Sequence, residues 1–128
     1  NFLKDNKIKN IKLPVSAPFH CELMTKATEI MKKELEKVDF KKSNNTLISN
    51  VTADEILNVK DLKNLLISQI EKKVRWRESI INMVNYGVSQ FIEIGPGKVL
   101  SGLIKRIDRN VKLNQVNNIT DIKNLTND

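Results

Sequence analysis

The chain holds one histidine and one cysteine, side by side, His20 and Cys21, within "KLPVSAPFHCELM", Lys12 to Met24. An imidazole titrates near pH ~6.5, so it can take up and return a proton at neutral pH. A histidine base needs a nucleophile to activate. None of the serines lies in a G-x-S-x-G elbow. Cys21 is adjacent, but neighbouring residues at a helix start point in different directions. Taken alone, a lone histidine is more often a helix-start or interior residue than a catalyst. A second candidate is "GPGK", Gly95 to Lys98, because a glycine turn feeding a helix N-terminus is an anion site in waiting. A P-loop needs four residues between its glycines and a Ser or Thr after the lysine, and both features are missing. The dinucleotide fingerprint is absent too, so spacing favours a structural turn. One His and one Cys cannot supply a four-ligand zinc site of that type, and no metal is expected.

The elements that must position His20 follow from hydrophobic spacing. Ile8–Val15 carries Ile8, Ile11, Leu13 and Val15 and reads as a short strand ended by Pro14. Pro14 and Pro18 stiffen the approach to His20, which falls on a strand-to-helix loop. From Glu22 to about Lys37, Leu23, Met24, Ala27, Ile30, Met31 and Leu35 give an amphipathic helix. "NTLISNV", Asn45–Val51, reads as a strand. Asp61 is placed to cap a helix bearing Leu62, Leu65, Leu66 and Ile70. After a break near Lys72–Val74, a further helix turns Trp76, Ile80, Ile81 and Val84 inward and stops at Gly87. Val88–Ile94 is an apolar run of strand length, and Gly95-Pro96-Gly97 is a tight turn. Val99, Leu100, Leu103, Ile104 and Ile107 then form a helical stripe. Val111–Val116 reads as one more strand, with a frayed tail from Asp121. Strand, glycine turn and helix in that order predict an α/β protein.

The totals bound the function. At 128 residues and 40% hydrophobic, the chain has one domain's worth of core. It does not begin with methionine, so a longer parent is expected. No apolar run approaches the roughly 20 residues that cross a membrane, and no secretory signal is visible. A single cysteine agrees with a reducing compartment. The formal charge is +7, but the 22 basic residues are mostly lysines spread along the chain. Nucleic-acid surfaces mix arginine and aromatics with lysine, so nucleic acid is not the expected partner.

"LPVSAPFHCELM", "QIEKKVRW" and "FIEIGPGKVLSGLIKRI", in that order, resemble the C-terminal part of malonyl-CoA:acyl carrier protein transacylases. The likeness runs from about Ile8 to about Leu125. It implies an acyltransferase that moves malonyl from coenzyme A to the phosphopantetheine thiol of acyl carrier protein, by a Ser–His ping-pong route in fatty acid biosynthesis. It implies no resident cofactor and a cytoplasmic setting. The fold it implies is the C-terminal part of a large α/β-hydrolase-like subdomain, residues 14–128. The last strand of a small ferredoxin-like subdomain, residues 1–13, would precede it.

His20 matches the family's catalytic histidine in "S-x-P-x-H-[SC]-x-L-M", acting as base and then acid. Gln69 matches the position whose backbone carbonyl orients that imidazole in place of a carboxylate. Such a carbonyl fixes the tautomer but adds no full negative charge. Phe19 matches a substrate-pocket position where a ring leaves less room at the acyl α-carbon, a lean towards malonyl. Lys105 and Arg106 match a basic helix face that would suit an acidic carrier protein. At Lys73 the chain departs from the family's frequent proline. The nucleophilic serine belongs to a G-H-S-x-G elbow upstream, which this chain lacks, as it lacks the malonyl-binding arginine and the oxyanion hole. The 128-residue chain alone is therefore expected to be inactive. Two other classes stay open: a non-catalytic module that docks carrier protein, and a phosphate or nucleic-acid binder built on "GPGK" and the lysines.

Overall fold

The computed structural model describes residues 2–11 and 15–125. In chain order the elements are α1 (Phe2–Asp5), a 3₁₀ turn (Glu22–Met24) running into α2 (Thr25–Glu36), α3 (Val59–Ser68), α4 (Trp76–Asn85), β1 (Gln90–Ile94), α5 (Val99–Ile107), β2 (Lys112–Val116) and α6 (Ile119–Leu125). β1 and β2 pair in parallel with Gln90 opposite Lys112 and Ile94 opposite Val116. Parallel neighbours need a crossover, and α5 supplies it, packing on both strands and on α4. α2 packs on α3, and α6 lies against β2. The α/β class therefore holds.

The core is small. Ala53 and Ile80 are fully buried and Ile104 nearly so, joined by Ser49, Ser79 and Ser101. Each serine hydroxyl has a partner, as buried polar groups require: Ser79 donates to the Arg75 carbonyl at 3.0 Å, Ser101 donates to Glu93 at 2.6 Å, and Ser49 Oγ accepts from Val51 N–H at 3.1 Å. No helix among the described residues is long and apolar enough to cross a membrane.

Several elements differ from the sequence reading. Phe2–Asp5 is a helical turn, and Ile8–Ile11 and Val15 are not strand. The Ile8 N–H folds back onto the Leu3 carbonyl at 2.8 Å, so local bonding takes the groups a strand would have offered. Lys12–Pro14, and with them the expected boundary between residues 13 and 14, lie outside the described residues.

Asn45–Val51 contributes only the bridge Ile48–Glu55. Backbone and side-chain bonds tighten the segment into a turn instead: Ser49 N–H donates to the Asp54 carbonyl at 2.9 Å, Ser49 Oγ accepts from Val51 N–H at 3.1 Å, and Asn82 Nδ2 donates to the Ala53 carbonyl at 2.8 Å. Asn58, not Asp61, is the N-cap of α3. Its Oδ1 accepts from the Asp61 N–H at 2.9 Å while its Nδ2 donates to Asp61 Oδ2 at 2.6 Å, so the cap is held to Asp61 by two bonds. The tail from Asp121 is helical as far as Leu125 rather than frayed. Asp121 Oδ2 accepts from Asn117 N–H at 2.8 Å, and Asn118 Oδ1 accepts from Thr120 N–H at 2.9 Å, which caps α6. Gly87 ends α4 as expected, with φ +93° and its N–H on the Val84 carbonyl at 2.9 Å.

Candidate active site

His20 sits in the turn that leads into the 3₁₀ segment, at φ +61°. That left-handed conformation is uncommon outside glycine and costs free energy, so something must hold it. The clearest hold is long-range. His20 Nδ1 lies 2.7 Å from the backbone carbonyl oxygen of Gln69, 49 residues away in sequence. A carbonyl only accepts, so Nδ1 carries the proton and Nε2 presents its lone pair, as a base must.

Gln69 is the C-cap of α3. The next amides turn back onto earlier carbonyls, Ile70 N–H to Ile67 at 3.3 Å and Lys72 N–H to Ser68 at 2.9 Å. Those bonds use the preceding carbonyls and leave that of Gln69 to the imidazole. The turn closes in this way without a proline at Lys73. Cys21 looks elsewhere, its Sγ–H donating to the Pro18 carbonyl at 3.1 Å. Phe19 precedes His20 and is 58% exposed in this chain.

No protein-family model matches the chain. It is 48% identical over 110 residues to the malonyl CoA-acyl carrier protein transacylase of Bacillus subtilis, covering 85% of this chain and 35% of that protein. The Staphylococcus aureus counterpart is 36% identical over 87% of the chain. Among solved structures, the Clostridium perfringens transacylase superposes with a TM-score of 0.87 at 40% identity, over 98% of this chain and 40% of that one. Over most of its length the chain is similar to malonyl CoA-acyl carrier protein transacylases. It spans little more than a third of the length of the relatives it matches. A further relative, a malonyl-transacylase solved with its type II polyketide acyl-carrier protein, superposes with a TM-score of 0.82 at 34% identity.

Against that transacylase background the remaining candidates separate. His20 and Gln69 are brought together. Lys105 and Arg106 lie on the last turn of α5, exposed and without an ion pair among the described residues.

"GPGK" is a turn, but not because strand and helix approach closely there. A Cβ added at Gly95 or Gly97 would meet nothing within 4 Å, so φ values of +134° and +97° are what call for glycine. The anion position at the start of α5 is already filled by Glu93 of β1. Its carboxylate accepts from Leu100 N–H at 3.0 Å, Ser101 N–H at 2.8 Å and Ser101 Oγ–H at 2.6 Å. The Ser101 hydroxyl, followed by the Ser101 backbone N–H, holds the Glu93 carboxyl below its ordinary range. This occupancy speaks against a phosphate at "GPGK". Sequence reasoning missed Glu93, although an acidic residue just ahead of a glycine turn and a helix start was the available signal.

Proposed function

We propose that the protein of which this chain is a part transfers malonyl from coenzyme A to the phosphopantetheine thiol of acyl carrier protein, with His20 as its proton-transfer residue. The observation that carries this reading is the 2.7 Å contact between His20 Nδ1 and the Gln69 carbonyl, in a chain similar over most of its length to transacylases. In the first half-reaction His20 Nε2 takes the proton of a serine hydroxyl as its oxygen attacks the malonyl thioester. The Nε2–H then returns that proton to the departing coenzyme A thiolate. In the second half the carrier thiol gives its proton to Nε2, the new thioester forms, and the serine oxygen is reprotonated. The serine is supplied by a part of the protein outside these 128 residues.

Phe19 borders the acyl α-carbon in this reading and favours malonyl. Lys105 and Arg106 meet the acidic carrier, where charge complementarity speeds encounter. Residues 14–128 belong to the large acyltransferase subdomain and residues 1–13 to the end of the small one.

The test is malonyl transfer by the full-length protein and by its His20→Ala variant. The variant is expected to lose about 10²–10⁴-fold in kcat while binding malonyl-CoA nearly unchanged. The 128-residue chain by itself is expected to show no turnover. Transfer by the chain alone, abolished by the same substitution, would place the nucleophile within it and overturn the two-part reading.

A further inference from the structure

The Gln69 side chain also reaches His20. Its amide nitrogen Nε2 stands 3.4 Å from His20 Nδ1, beside the backbone oxygen at 2.7 Å. The shorter contact fixes Nδ1 as a donor, since two acceptors would repel at that distance. A donor at 3.4 Å then gains nothing from a second N–H group. The amide keeps its shape when turned by half a rotation about its last bond, and that rotation sets Oε1 against Nδ1–H.

Resting on the proposed role of His20, we infer that the Gln69 side chain is a positioning residue of the catalytic histidine: its amide oxygen joins the Gln69 backbone carbonyl in receiving Nδ1–H. One residue at the end of α3 thus offers two neutral acceptors where a triad offers one carboxylate. Both carbonyl dipoles face the imidazolium that forms during each half-reaction, and a shared proton limits rotation of the ring. A substitution leaves the backbone carbonyl in place, so the side-chain share can be measured separately. Glu22 beyond His20, and Glu71, Lys72 and Lys73 beyond Gln69, are the charged residues nearest in sequence. They are common to all variants, and no charged side chain bonds the ring among the described residues.

The experiment is the pH profile of kcat/KM for the full-length protein carrying Gln69→Leu or Gln69→Glu. Leu removes the acceptor, so kcat is expected to fall about 3- to 10-fold, the low end for loss of a supporting hydrogen bond. The imidazolium is then held less well, and the acid limb of the profile moves to lower pH. Glu replaces the amide by a carboxylate, which holds the imidazolium better and moves the same limb to higher pH. Should the Leu variant not fold, Gln69→Asn, one methylene shorter, carries the same expectation. Profiles of the variants that overlay the parent's overturn the inference. His20→Ala run alongside separates the two ideas. If that variant transfers malonyl at the parent rate, the role of His20 fails; if it is dead while the Gln69 profiles overlay, only the side-chain role fails.

Discussion

At the residue scale, two side chains do work for which a fold of this size has few alternatives. His20 holds a left-handed backbone conformation and a bond to a residue 49 positions away. Glu93 ties the end of β1 to the first turn of α5 through three donated hydrogens. Because the folded carboxyl of Glu93 is shifted downward, its stabilising contribution is present above the unfolded carboxyl value of ~4.3 and fades as pH falls through the lower folded value. Glu93→Gln is accordingly expected to lower the melting temperature at pH 7, with the gap to the parent narrowing as pH drops below ~4. Melting curves across that range test this; a gap that stays constant with pH would show that the amide replaces the carboxylate.

From the residues alone His20 read as a helix-start residue; it and its partner Gln69 were singled out together only through family likeness, and the structure brings the two into contact. Periodicity could not have paired them, since nothing local links a turn to a helix end so distant. The position of Glu93 ahead of a glycine turn was a signal in the sequence, but its three hydrogen bonds to α5 appear only in the folded turn.

At the element scale, hydrophobic spacing located α2, α3, α4, β1, α5 and β2, with boundaries off by up to three residues. Its failures share one physical origin. Ile8–Ile11 and Asn45–Val51 have strand-like composition, but a strand exists only where a neighbour completes its ladder. Among the described residues neither segment has a neighbour that completes more than the bridge at Ile48. The tail failed in the opposite direction, because Asn117, Asn118 and Asp121 look like loop residues until their side chains cap α6. Capping also bears on how firmly the carbonyl that faces His20 is held, since α3 is capped by Asn58 at its start and by Gln69 at its end. Asn58→Ala is expected to cost about 1 kcal/mol in chemical denaturation, with no change in the slope of the transition. An unchanged midpoint would mean that Asp61 substitutes as the cap.

At the scale of the whole molecule, the surface is too apolar to stand alone. Ile94 is 81% exposed and Val99 73%, on either side of the glycine turn, and Ile92 is half exposed on the same strand. Parallel strands are ordinarily covered on both faces. Apolar patches left open drive association. The 128-residue chain is expected to sediment as oligomers at micromolar concentration and to bind a hydrophobic dye, whereas the full-length protein should do neither. Sedimentation that gives a dye-silent monomer for the isolated chain would contradict this.

The contiguity of β1, α5 and β2 bears on how the chain reaches this structure. All three elements come from residues 90–116, so their mutual contacts close short loops, and closure entropy rises with loop length. A unit of that kind is expected to form the folding nucleus, with the bond from His20 to Gln69 closing later. Ile104, buried on α5 beneath this unit, provides the probe. Ile104→Ala in the full-length protein should cost about 2–4 kcal/mol and appear mainly as slower refolding. His20→Ala should leave the refolding arm of the chevron untouched and alter only the unfolding arm. The contact between His20 and the end of α3 would then be the last to be fastened.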